Sequence, residues 1–161
     1  MSQLIPGITS IDRGERIYVI RTTSTLHFTE AIILNAEEYE NIDMSAQGFR
    51  FNKLRIIGIN LQSIQNLKYQ VSFYESDTFA DIDLDVDTFL AFHELDMSTP
   101  PAFRVAAAGQ YKMEISDLNT TYEDAEETFE LHVGLLNLSG ASKIAGALGA
   151  VQIDFLVTPR L

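Results

Sequence analysis

The chain has no cysteine and no tryptophan, and its 161 residues include only 4 prolines and 9 glycines. Without cysteine there are no disulfides and no thiolate sites, catalytic or metal-binding. No apolar run reaches about 18 residues, so no membrane-spanning helix is expected. The start, Met1-Ser2-Gln3-Leu4-Ile5-Pro6-Gly7, has neither a basic region nor a long apolar stretch, so no secretory signal is expected. The Asn-x-Ser/Thr matches at Asn119 and Asn137 are then read as chance occurrences. Basic residues are also scarce, 11 against 23 acidic, for a net charge of −12. Such a chain repels phosphate backbones, which argues against a nucleic-acid partner.

What is present fits a globular protein. The hydrophobic share is 46% and the charged share 21%. A chain of this length buries roughly 70% of its unfolded surface as one domain. The negative charge is concentrated. From Glu75 to Glu130 there are 15 acidic residues against Arg104 and Lys112, a net of −13, so the remainder carries +1. Solubility accounts for such a face, and a partner with a basic face would suit it.

Periodicity along the chain is that of strands. Residues 1–14 hold Pro6, Gly7 and Gly14 with little pattern and read as an irregular arm, followed by a domain over 15–161. Arg16 to Thr22 and Thr25 to Leu34 are β-branched and aromatic, and the short link between them suits a hairpin. Ala36 to Gly48 is too polar for core and reads as a loop with at most a helical turn. Phe49 to Leu61 changes the phase of its apolar residues between Phe51 and Leu54, which predicts a bulge or bend. Leu67, Tyr69, Val71 and Phe73 alternate with polar residues, and the short connection Gln62 to Asn66 predicts that this strand pairs with the one before it. Ser98-Thr99-Pro100-Pro101 interrupts the chain. Phe103 to Ala108 and Gln110 to Leu118 flank Gly109, and the second places Tyr111, Met113 and Ile115 on one face. Asn119 to Thr128 reads as an acidic surface loop. Phe129 to Leu138 and Val151 to Val157 are apolar strands around a small-residue segment. Eight or nine strands at spacings of roughly 8–15 residues predict an all-β, single-domain, two-sheet antiparallel sandwich, of which the jelly roll is the commonest eight-stranded form.

The most polarised stretch is Asp81-Ile82-Asp83-Leu84-Asp85-Val86-Asp87, in which carboxylates alternate with aliphatic residues. On a strand the four aspartates line one side, about 7 Å apart. Each neighbouring pair then costs about 0.6 kcal/mol in water and about 2.4 kcal/mol at an effective dielectric of 20. A solvated ladder therefore needs no ion, whereas a partly buried one needs a cation or a basic partner. Asp83, Asp85, Asp87 and Glu94 match carboxylate positions 1, 3, 5 and 12 of a calcium loop, but Thr88 stands where that loop needs glycine and no helices flank it.

Other chemistry finds little footing. His27, His93 and His132 are scattered without zinc-ligand spacing. Ser142 is followed directly by Lys143, which lacks the Ser-x-x-Lys spacing, and there is no Gly-x-Ser-x-Gly. Gly146-Ala147-Leu148-Gly149 is not followed by the residues of a phosphate loop. No catalytic residue, no metal ligand and no cofactor are assigned. Tyr18, Tyr39, Tyr74 and Tyr122 are the aromatics that could face outward as a sugar platform, and a carbohydrate-binding module, calcium-assisted at the ladder, is the alternative reading.

Three stretches carry a family resemblance: Tyr111-Lys-Met-Glu-Ile-Ser-Asp-Leu118, Phe129-Glu-Leu-His-Val-Gly-Leu-Leu-Asn-Leu-Ser139, and Ser142-Lys-Ile-Ala-Gly-Ala-Leu-Gly-Ala-Val-Gln-Ile153. Together they resemble the C-terminal part of jelly-roll proteins that decorate or cement the capsids of tailed bacteriophages. The resemblance covers about a third of the chain and includes no catalytic or ligand motif. It implies a non-enzymatic virion component on the capsid surface. The implied partners are the capsid protein and copies of the chain itself, as a homo-oligomer such as a trimer, with no nucleic acid and no membrane. The candidate interaction residues are the ladder, Asp81, Asp83, Asp85 and Asp87, together with Ile5 and Pro6 of the arm.

Overall fold

The structure is a computed structural model that describes residues 16–22, 31–32, 37–63, 67–77, 89–97, 104–107, 110–138, 143–144 and 151–160. Twelve strands run through these residues: β1 (Tyr18–Arg21), β2 (Ala31–Ile32), β3 (Glu37–Asp43), β4 (Lys53–Ser63), β5 (Lys68–Tyr74), β6 (Phe89–Asp96), β7 (Arg104–Ala107), β8 (Gln110–Ile115), β9 (Thr120–Glu123), β10 (Glu130–Asn137), β11 (Lys143–Ile144) and β12 (Val151–Pro159). They form a first sheet in the order β1-β12-β4-β8-β7, with β9 also on β4, a second sheet β3-β10-β5-β6, and a small pair β11-β2. Every pairing is antiparallel. The two large sheets pack face to face as a sandwich.

The pairings are nested. β1 pairs with β12, β3 with β10, β4 with β8 and β9, and β5 with β6. A ribbon of paired strands rolled so that successive pairs alternate between sheets gives a jelly roll. This order explains why β4 and β5 are not neighbours despite the short link between them. The chain changes sheet between Ser63 and Lys68, so each strand finds its partners among distant segments. For the same reason β1 and β2 form no hairpin among the described residues; their partners are β12 and β11.

Alternation places the core as the sequence predicts for β5, with Tyr69, Val71 and Phe73 buried between the sheets alongside Leu67. Phe73 is central, with edge-to-face contacts to Phe155 at 5.5 Å, His93 at 6.2 Å and Tyr122 at 6.4 Å. β12 contributes Val151, Ile153, Phe155 and Val157 in unbroken alternation, and β10 contributes Leu131, Val133 and Leu135. The phase change on β4 occurs later than the sequence pattern implies. Leu54 and Ile56 face the core, then Ile59 and Leu61, and the register against β12 shifts between Leu156 and Val157. Ile57 and Gly58 together face Leu156, a β-bulge that bends the strand. A Cβ on Gly58 would lie 3.3 Å from the Ile115 carbonyl oxygen, so the bulge needs a residue without a side chain there. Phe49 and Phe51 lie before the strand and pack against Tyr18 in edge-on and tilted contacts, each at a ring distance of 5.2 Å.

Two segments read as loops contain strands. Glu37–Asp43 is a strand of the second sheet that pairs, among the described residues, with β10 alone; Ile42 is fully buried while Glu38 to Asn41 are half-buried and Asp43 is exposed, so a polar segment can still pair. The expected turn follows as a 3-10 turn, Ser45–Gln47, closed by Gly48 at φ 91. Thr120–Glu123 is β9, whose Thr120 and Tyr122 are buried while Thr121 and Glu123 face solvent. Its acidic composition describes only its outer face and the turn beyond it.

Candidate functional site

The residues singled out in the sequence, Asp81, Asp83, Asp85 and Asp87 of the ladder and Ile5 and Pro6 of the arm, lie outside the described residues, as does His27. Of the four tyrosines considered as a sugar platform, Tyr122 points into the core and Tyr74 is buried against Tyr39 and Phe89. Tyr18 packs on Phe49 and Phe51 beside the first sheet, while Tyr39 belongs to the second. They do not form one platform.

The described residues instead bring together a buried polar cluster under the turn from β9 to β10. Asp124 directly follows β9 and its carboxylate is fully buried. Three alternate backbone amides turn toward it: Glu126 N at 3.1 Å, Thr128 N at 2.8 Å and Glu130 N at 3.2 Å. Positive φ at Glu127 (55°) and Phe129 (60°) gives the turn the curvature that aims those amides inward. The Thr128 hydroxyl lies 3.0 Å from the same carboxylate, and His132 Nε2 on β10 reaches it at 3.1 Å. Burial works to raise the Asp124 pKa, but hydrogen bonds from His132, Glu130 and Thr128 outweigh it and hold the carboxyl below its ordinary value of 3.8.

His132 faces out of the second sheet, yet none of its side chain is exposed. Its Nδ1 lies 2.6 Å from Asn41 Oδ1 on β3, and its Nε2 also lies 3.9 Å from Glu126 Oε1. Across the sandwich, the Tyr122 hydroxyl donates to the Glu130 carbonyl at 2.7 Å and accepts from His132 N at 3.0 Å. Burial pushes the Tyr122 hydroxyl pKa well up. The cluster thus ties β3, β9 and β10 together. It does not assemble a nucleophile with a base, because the Thr128 hydroxyl faces carboxylates and not the imidazole. His93 makes a separate tie, its Nε2 lying 2.7 Å from Thr120 Oγ1 between the two sheets.

Sequence reasoning missed this cluster because its members are ordinary residues in an acidic segment. The only signal was Asp-x-Glu with a histidine further on, in which carboxylates and imidazole meet only when a turn folds back onto β10.

A second feature lies on the outer face of the first sheet. Val19 on β1 is in register with Leu156 on β12, which is in register with Gly58 at the bulge, and Leu118 N donates to Ile57 O at 3.0 Å. Ile57 and Leu156 are half-buried on this face beside Arg55, Asn60, Glu114 and Asp117, while Ile115 and Leu118 pack inward against the core. Toward β1 the apolar surface continues over Val19, 42% exposed, and Ile17, 58% exposed. Beside it runs a polar strip of Asn60, Gln62, Lys112, Glu114, Gln152 and Asp154, with Arg21 held bidentately by Asp154 at 2.8 and 3.0 Å. Apolar centre and polar rim are the layout of a protein contact surface. No protein-family model and no curated protein matches this chain.

Proposed function

We propose that this protein is a non-enzymatic virion component that decorates or cements the capsid of a tailed bacteriophage, using the outer face of its first sheet as a contact surface. The observation that carries the reading is the apolar stripe of Ile17, Val19 and Leu156, in which Ile17 and Val19 are exposed and Leu156, in register with Val19, is half-buried. A contiguous exposed apolar surface marks an interaction site. The stripe begins at β1, the edge strand that follows the N-terminal arm, so arm and stripe would engage the same neighbour. The two-sheet sandwich is compatible with the fold that the family resemblance implies, and the resemblance supplies the partner class, since such a fold alone serves many functions. The buried cluster around Asp124 is spent on holding strands together, in keeping with a structural role.

Two measurements test the reading. Light scattering on a sizing column is expected to give an oligomer, with three copies of the 18.0 kDa chain as the specific expectation. Sedimentation with phage capsids lacking the protein is expected to carry it down, and the Val19→Glu, Leu156→Glu double variant is expected to stay in solution while keeping its β-sheet circular dichroism. A monomer that ignores capsids, or a double variant that binds as well as the parent, overturns the proposal.

A further inference from the structure

The cluster beneath the β9–β10 turn also presents three side chains of metal-binding type to one point. Asp124 Oδ1, Glu126 Oε1 and His132 Nε2 all lie within 4.8 Å of one another. Two of the side chains, Asp124 and His132, are fully buried, and Glu126, 38% exposed, opens the group to solvent on one side.

The hydrogen bonding of His132 shows what the point between them requires. A neutral imidazole has one N–H donor and one acceptor nitrogen. Here both nitrogens face oxygen, Nδ1 toward Asn41 Oδ1 at 2.6 Å and Nε2 toward Asp124 Oδ1 at 3.1 Å. With the proton on Nδ1, donated to Asn41, a bare lone pair on Nε2 would confront a carboxylate. Nε2 therefore carries either a proton, with Nδ1 then accepting from the Asn41 amide turned to face it, or a metal ion. We propose that Asp124, Glu126 and His132 bind a divalent transition metal of the zinc class, which replaces the Nε2 proton.

Three further features agree. Zinc takes imidazole nitrogen at about 2.0–2.1 Å and carboxylate oxygen at about 2.0–2.2 Å, and two such ligands in tetrahedral array lie roughly 3.3 Å apart. The Nε2 to Oδ1 separation of 3.1 Å is already close to this, and the 3.9 Å to Glu126 closes by a small swing of an exposed side chain. The surroundings also orient the ligands, as outer-shell partners do around metal sites. Asn41 fixes the imidazole ring, Thr128 and Glu130 hold the other Asp124 oxygen, and Asp77 N donates to Glu126 Oε1 at 3.2 Å. Finally, one imidazole with two carboxylates favours zinc, cobalt or nickel over calcium or magnesium, which prefer oxygen alone. The open side would take a water as fourth ligand. The ion would pin the β9–β10 turn to the second sheet, a structural role that stands apart from the proposed capsid contact.

The test is calorimetric titration of chelator-treated full-length protein with zinc, with thermal unfolding in parallel. One zinc per chain is expected. At a free zinc concentration 100 times the dissociation constant, the melting temperature is expected to rise by roughly 5–11 °C, while calcium and magnesium leave it unchanged. Glu126→Ala, chosen because its half-exposed side chain can be removed while the buried Asp124–His132 contact stays in place, is expected to weaken zinc binding at least tenfold and to lower the metal-free melting temperature by no more than a few degrees. His93→Gln is expected to bind zinc as the parent does. Absence of zinc binding, or equal binding by Glu126→Ala, overturns the site.

Discussion

Replacing Asp124 by asparagine changes no volume but converts one carboxylate oxygen into an N–H donor. The native oxygens receive Glu126 N and His132 on one side, and Thr128 N, the Thr128 hydroxyl and Glu130 N on the other. Whichever way the amide turns, it presents a donor to at least two donors around a fully buried side chain. The gentler orientation gives up two hydrogen bonds to a charged acceptor, at about 1.5–3 kcal/mol each. We therefore expect Asp124→Asn to destabilise the fold by about 3–5 kcal/mol, a fall in melting temperature of roughly 6–20 °C for a domain of this size. Urea unfolding followed by circular dichroism in chelator, so that no bound metal contributes, should show a lower midpoint with an unchanged slope. The loss should also depend on pH. The folded carboxyl titrates below the unfolded value of about 3.8, so the unfolded chain binds the proton first. The stabilisation is then complete above about pH 4 and fades as pH falls through the folded pKa, and parent and variant should converge in acid. A loss below about 1 kcal/mol at pH 7, or a gap that does not narrow at all as pH falls below 3.8, would refute the account of the cluster.

Other consequences can be checked with the same assays. Gly58→Val should destabilise by about 1–3 kcal/mol, because its side chain would press on the Ile115 carbonyl and Leu156 at the bulge. Phe73→Ala should cost about 3–5 kcal/mol, since its ring is fully buried among Phe155, Tyr122 and His93, and a value near 1 kcal/mol would show that the core collapses around the gap. Burial depresses the His93 pKa below 6.5, so its contribution is present above that pH and lost as pH falls through the lower folded value. His93→Gln should remove that part of the pH profile. Deleting residues 1–14 should abolish oligomerisation or capsid sedimentation, and a truncated chain that keeps both would remove the arm from the proposed contact.

Composition and alternation were enough to determine the all-β class, the strands β4, β5, β8, β10 and β12, and which face of β5 and β8 is buried. These depend on a two-residue period that any half-buried strand must show. The polar strands β3 and β9 escaped because a half-buried strand, or a strand with one wet face, can be acidic and still pair. Partnership was not legible at all. β4 and β5 are adjacent in sequence and belong to different sheets, because the rolled ribbon pairs β4 with β8, β9 and β12 across long stretches of chain. The cluster of Asp124, Glu126 and His132 and the apolar stripe of Val19 and Leu156 have the same origin. Each assembles residues whose positions are fixed by register between distant strands, and no local spacing encodes that register. The sequence alone determined that there is a β core with an acidic exterior; only the tertiary structure decided which carboxylate is buried beside a histidine and which aliphatic residues are left facing outward.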